Sequence, residues 1–336
     1  MNKLFLIALS ALFCFSCTVS NETEKYQRSR NNIIHVRDKV KEIAMEEPYI
    51  SSLNRIHLMD RYFIINDIQS FDKYIHVFDK NTYKYITGIV NRGQGPNEIA
   101  RIGLLSVDEP RRMLYVPDNG KYKILSYHLD SALTDSAYVP GLKMAMVEAI
   151  FPDYIQFIND SMAICRIIQP IGNNNFQPTT GKLNIHTGQI TLMPYEHPKI
   201  TGRKRFSVEV SLEHRLYVEY HHYRDLITVC DFDGNLIYNI YGPAWGKERS
   251  RRHEYYSTVV FCGDKIYATY LGGIGIDREK MKGIYPTQIL VFDLQGNYIQ
   301  TLDVGLHIED LCYDSENNRL LLSFDDEIQF GYLELD

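Results

Sequence analysis

The stretch FSVEVSLEHRLYVEYHHYRDLITVCDFDGNLIYNIY, residues 206–241, decides the fold. It divides into four short runs, Phe206–Leu212, Leu216–Tyr220, Leu226–Cys230 and Leu236–Tyr241, with polar breaks between them. The runs are rich in Val, Ile, Leu and Tyr, and the breaks carry His, Asp, Gly and Asn, which is the pattern of antiparallel hairpins. The second run opens on Leu216-Tyr217-Val218. Similar triplets occur at Tyr62-Phe63-Ile64, Leu114-Tyr115-Val116, Met162-Ala163-Ile164, Ile266-Tyr267-Ala268 and Leu320-Leu321-Leu322, with middle residues 48 to 54 positions apart. A strand-filled repeat near that length is one blade of a β-propeller. The expected fold is all-β, a six-bladed propeller of four-stranded blades.

The other repeats support the same division. In the first, Ile56–Leu58, Tyr62–Ile65, Tyr74–Phe78 and Tyr85–Val90 are the strands, and in the fifth the last two are Ile289–Phe292 and Tyr298–Val304. The sixth repeat is short by one strand, because its third, Ile328–Leu335, reaches the end of the sequence. An open edge would leave backbone donors and acceptors unpaired. The segment Ile33–Ile43, with Ile34, Val36 and Val40, is the expected outer strand that closes the ring.

The first residues read as an export signal. Lys3 precedes an apolar run, Leu4 to Phe15, that is shorter than the ~20 residues a bilayer-spanning helix needs. Cys14-Phe15-Ser16-Cys17 resembles a bacterial lipobox, with Cys17 as the lipid-attachment residue and Cys14 where leucine is usual. The expected organisation is a signal peptide over 1–16, a flexible tether over 17–30 and a propeller domain over 31–336. The net charge of −6 argues against nucleic acid as a partner. Cys165, Cys230, Cys262 and Cys312 fall in or beside strands and read as buried thiols.

Val77-Phe78-Asp79 before a turn, and Arg92-Gly93-Gln94-Gly95-Pro96-Asn97-Glu98 after a last strand, look like the TolB-like six-bladed β-propeller lipoproteins of bacterial envelopes. The resemblance covers roughly residues 33–336. It implies an envelope location, lipid-anchored to the outer membrane on its periplasmic or surface side, and it implies no particular chemistry.

Several motifs invite chemical readings. Asp231-x-Asp233-Gly234-Asn235 looks like the start of a calcium loop, but the twelfth position is Gly242 instead of a bidentate glutamate. The same place holds Asp293-x-x-Gly296-Asn297 and Asp79-x-x-Thr82, so a repeated aspartate-led turn is expected. Gly93-x-Gly95 leads into Pro96 and lacks the helix that a phosphate loop requires. No cofactor and no metal site is expected. His221-His222 with Arg224 and Asp225 could move protons, or could be a solvated loop. Lys247, Arg249, Arg251, Arg252 and His253, flanked by Trp245 and Tyr255-Tyr256, could form an anion- or glycan-binding edge, or a linker between blades.

Strand parity then sorts the loops. First–second and third–fourth turns share one face, and they are short: Asp60-Arg61, Asn159-Asp160, Gly263-Asp264, Asp233-Gly234 and Gln295-Gly296. The opposite face carries Gln169–Thr180, Leu271–Pro286, Gly242–Glu254, His221–Asp225 and Arg92–Glu98. Long loops on a rigid scaffold are where binding residues gather. The expected function is therefore an envelope binding module for a glycan or an envelope protein, joined to the membrane through its N-terminal lipid. A propeller lyase or hydrolase with His221 or His222 in a central cleft is the alternative, and a structural assembly module is the third reading.

Overall fold

The computed structural model describes residues 23–145, 151–170, 172, 176–201, 204–247, 253–277 and 282–335. Six antiparallel sheets succeed one another along the chain, each a blade whose strands follow sequence order outward from the axis. Blade 1 is Asn54–Met59, Tyr62–Asp67, Lys73–Asp79 and Tyr85–Asn91. Blade 4 is Phe206–Ser211, Leu216–His221, Leu226–Asp231 and Leu236–Tyr241, the division expected from its sequence. Blade 6 has three strands of its own, Ile308–Asp314, Arg319–Phe324 and Phe330–Glu334.

The core lies between blades. Ile64 and Val77 of blade 1 pack on Leu114 and Val116 of blade 2, and Val218 and Ile227 of blade 4 pack on Tyr256 and Ile266 of blade 5. Both sides of the central strands, such as Tyr62–Asp67 and Leu226–Asp231, are buried in this way, which explains their nearly continuous apolar runs. The six triplets are not equivalent in register. Phe63, Ala163 and Tyr217 face the preceding blade, whereas Tyr115, Tyr267 and Leu321 face the following one. The middle residue is the second of its strand in the first group and the third in the other. With a side-chain period of two, that single step reverses the face.

The aspartate-led turns repeat as expected. Asp231 Oδ1 accepts the amides of Asp233 and Asn235, both at 2.9 Å, and Asp293 Oδ1 accepts those of Gln295 and Asn297 at 3.0 and 2.8 Å. Asp79 caps Asn81 and Thr82 in the same manner. These carboxylates are spent on backbone donors within a tight turn.

The N-terminal segment does more than close the ring. Lys41–Glu42 pairs antiparallel with Phe330–Glu334 and supplies the missing fourth strand of blade 6. Ile33–His35 instead pairs in parallel with Tyr298–Asp303 as a fifth strand on blade 5. Glu24–Tyr26 does the same on Leu236–Tyr241 of blade 4. Residues 23–30, expected as part of a flexible tether, are thus held on the rim of the propeller. The physical reason is that the outer strands of blades 4 and 5 offer free backbone edges, which a passing extended chain can satisfy.

Two expected loops are largely strand. Met162–Pro170 and Phe176–Asn184 pair along their whole length, and Lys265–Ile274 projects toward a small ribbon of Ile276–Asp277 with Lys282–Gly283. The opposite face also carries one long connection, where Leu129–Thr134 forms a short helix between the third and fourth strands of blade 2. Cys17, the signal stretch, and Arg249, Arg251 and Arg252 lie outside the described residues.

Candidate functional site

The first strand of each blade has no inner neighbour, so alternate backbone groups and side chains point toward the axis. The space they enclose is a channel of about 1230 Å³. Leu53, Leu271 and Tyr285 line it at the long-loop end, and Glu109, Arg111 and Asn159 line it at the other end.

Part of the wall is structural. Asp310 of blade 6 accepts the Ile56 amide of blade 1 at 2.9 Å and the Thr258 hydroxyl of blade 5 at 3.0 Å. Arg166 of blade 3 holds Asp153 through two hydrogen bonds of 2.8 and 2.6 Å. Its Nη1 also reaches the Phe206 carbonyl and the Ser207 hydroxyl of blade 4 at 2.8 and 2.9 Å. Arg55 donates to Glu309 at 2.5 Å. These groups satisfy inner-strand backbone and stitch neighbouring blades together. Burial pushes both Asp310 and Glu309 above the usual carboxylate range, and the Arg55 charge opposes the shift.

Glu209, on the first strand of blade 4, is different. Its Oε2 accepts from the Tyr154 hydroxyl at 3.4 Å and from Gln156 Nε2 at 3.1 Å. No arginine or lysine among the described residues pairs with it. The side chain sits deep among protein atoms, while the residue still borders the channel. Burial pushes its carboxyl up to about 8, and the Tyr154 hydrogen bond only partly offsets this.

The sequence-predicted cluster separates along the strand pleat. His221 is 2% exposed and packs its ring 5.6 Å from Phe206, on the blade 3 side. Burial, reinforced by Arg224, keeps its pKa well below the usual histidine value, so the ring is neutral. His222 points the other way and borders the channel. Its Nδ1 lies 2.7 Å from the Tyr256 carbonyl, which can only accept, so Nδ1 carries the proton. Its Nε2 then accepts from Ser207 at 3.1 Å. Burial lowers its pKa to about 4, leaving a neutral histidine whose lone pair is already used.

Asp225 is a structural hub. It accepts from Arg30 at 3.0 Å, Tyr256 at 2.7 Å, Tyr270 at 3.2 Å and the Ala244 amide at 3.1 Å. Burial disfavours the Arg30 charge, but the fields of Tyr256, Asp225 and Tyr270 outweigh it and the guanidinium pKa is raised. Arg30 also lies 5.0 Å from the centre of the Tyr270 ring. A glycine is required at position 242, where a Cβ would sit 2.0 Å from Asp225 Oδ1. Tyr255 and Tyr256 are buried in the seam between blades 4 and 5. Trp245 packs on Tyr241 at 4.9 Å and His197 at 5.2 Å. The aromatics expected on a binding edge are therefore largely packed inward.

Gly93 to Glu98 folds on itself. The Glu98 carboxylate accepts the Gly95 amide at 2.7 Å, and Lys121 Nζ donates to the carbonyls of Gly95 and Glu98 at 2.6 and 2.9 Å. A Cβ on Gly93 would stand 1.9 Å from Glu98 Oε2, which explains that glycine without any phosphate. The residues that sequence reading missed are Arg55, Tyr154, Gln156, Arg166, Glu209, Glu309 and Asp310. Their only local signal is polar residues in otherwise apolar first strands, such as Glu209 between Val208 and Val210.

The family described as DUF5128, 6-bladed beta-propeller, matches residues 44–217. Among curated proteins none matches the sequence. A crystal structure of a DUF4221 family member from Bacteroides vulgatus aligns with a TM-score of 0.59 and 12% identity, covering 88% of this chain and 98% of that one. A putative exported protein from Bacteroides fragilis aligns at 0.54 and 10% identity, covering 90% and 88%. The extracellular domain of a putative one component system from B. thetaiotaomicron aligns at 0.50 and 13% identity, covering 83% of this chain and 33% of that one. At such identities these structures share the fold. The half-chain family match, on a structure with six blades, places the protein: it belongs to the DUF5128 family of 6-bladed β-propellers.

Proposed function

We propose that this protein is an envelope-anchored binding module that takes a polar, polyhydroxylated ligand of the glycan class into its axial channel from the long-loop face. The observation that carries this reading is the channel wall, where Tyr154, Gln156, Glu209, Tyr220 and Tyr285 converge from three blades around open volume. Such a mixture of aromatic rings and fixed hydrogen-bonding groups in a concave site suits sugar recognition. A catalytic reading needs His221, Asp225 and an arginine to meet on the axis. Instead, His221 is enclosed between blades and Asp225 is occupied by Arg30 and two tyrosines. The test is calorimetric titration of the purified chain with a panel of envelope-derived oligosaccharides. Ser257 is exposed and borders the channel. Ser257→Trp should therefore weaken any bound member at least about tenfold by filling the lumen. Undiminished binding by that variant would place the site elsewhere and end this reading.

An envelope location is supported by the exported and extracellular descriptions of the structural neighbours, and kinship with the TolB-like envelope propellers belongs to the same reading. Glu24–Tyr26 runs parallel to the last strand of blade 4, which points toward the long-loop face. Cys17 precedes Thr23 by a stretch that reaches at most roughly 20 Å. A lipid on Cys17 would hold the short-turn side toward the membrane and leave the channel mouth facing outward. Labelling of cells with a clickable fatty acid should mark the wild-type protein and not Cys17→Ser. Equal labelling of both would remove the anchor from the proposal.

A further inference from the structure

Among the described residues, the channel wall is acidic in excess. Seven carboxylate residues of that set border it against four arginines, with no lysine. The arginines are already engaged. Arg55 binds Glu309, Arg166 binds Asp153, Arg111 binds Asp108 and Asp160, and Arg205 meets the Tyr223 hydroxyl and lies near Glu254. Both channel histidines, His57 and His222, are held neutral by burial, with pKa values near 4. Glu209 is left without a cation among the described residues. Tyr154 and Gln156 both donate to Oε2, and the Val210 amide also acts on the carboxylate, all neutral donors. The carboxyl lies on the inner strand of blade 4, next to Tyr154 and Gln156 of blade 3, within the electrostatic reach of Tyr220 and Asp310.

We infer that the channel selects ligands bearing an ammonium group, which docks on the Glu209 carboxylate beside Tyr154 and Tyr220. This rests on the channel-binding reading above and names the chemistry it prefers. A buried carboxylate gains most from a partner that brings both charge and several N–H donors. The nearby tyrosine rings add a favourable surface for a cation. An ammonium must displace the proton that burial keeps on Glu209, so affinity should rise as the solution becomes more basic. The other groups acting on this carboxyl are the Tyr154 hydroxyl, the Val210 amide and Asp310. Asp310 is a second carboxyl that a cation also relieves.

Glucamine, sorbitol and gluconate share one polyol skeleton and end in an ammonium, a hydroxyl and a carboxylate, so they separate charge from shape. In calorimetric titration of the full chain, glucamine should bind at least about tenfold more tightly than sorbitol, with gluconate weakest. Its affinity should increase between about pH 6 and pH 8. Glu209→Gln should bring glucamine down to the level of sorbitol and abolish that pH dependence. Equal binding of glucamine and sorbitol, both weakened by Ser257→Trp, would overturn the ammonium inference and leave the channel reading intact. Glucamine binding that survives Glu209→Gln would overturn it as well. If none of the three binds the wild-type chain, the inference falls on its own, because the oligosaccharide titration tests the channel separately.

Discussion

Asp225→Ala is expected to destabilise the propeller by about 3–5 kcal/mol, measured as the loss in unfolding free energy in urea. The Arg30 and Asp225 side chains are 6% and 0% exposed, so solvent does not screen the pair. Removing the carboxylate leaves a buried guanidinium uncompensated, and it strands the hydroxyls of Tyr256 and Tyr270 and the Ala244 amide. The loss should also release Glu24–Tyr26 from blade 4, visible as faster amide exchange in residues 23–35. Asp225→Asn keeps a hydrogen-bond acceptor and should fall between the wild type and alanine. In the double variant Arg30→Met with Asp225→Asn, no buried charge remains alone, so it should recover part of the loss. A cost below about 1 kcal/mol for Asp225→Ala would mean that the hub is not holding the segment.

Phe63→Ala is the second large effect, with an expected cost of about 3–5 kcal/mol. Phe63 is fully buried where blade 1 meets blade 6. Its ring lies 6.2 Å from Phe330, 6.3 Å from Phe78 and 6.4 Å from Tyr83. This seam joins opposite ends of the chain, and the adjoining backbone is pinned by the Lys41–Glu42 pairing, so collapse into the cavity is restricted. Phe71→Ala is the matched control. That ring is 90% exposed, and its loss should change stability by no more than about 0.5 kcal/mol. Similar costs for the two would show that the closing seam contributes little.

Strands and turns were legible because their causes are local. The runs around Tyr217 and the Asp231 and Asp293 turns follow from side-chain period, β-branching and carboxylate-capped amides, all within a few residues. The closing strand could be anticipated because blade 6 visibly lacked one. The fifth strands on blades 4 and 5 could not. Ile33 is 46% exposed and Tyr26 is 58% exposed, so neither segment shows the buried alternation that marks a strand, and only a distant backbone edge fixes them. The same holds for the candidate site. His221 and His222 adjoin in sequence but point into opposite seams, as the pleat requires. Glu209, Tyr154 and Asp310 are far apart in sequence and meet only because three inner strands surround one axis.

The sequence by itself determined the repeat, the number of blades and the face on which most long connections lie, since these depend on local pattern and strand parity. Tertiary structure decided which polar groups are spent and which are free. It committed Asp225 to Arg30 and packed Trp245 against Tyr241. It left Glu209 facing the channel without a counter-charge among the described residues. Burial and partner identity set the chemistry of an ionisable group, and in a propeller both come from neighbouring blades that the local sequence does not specify.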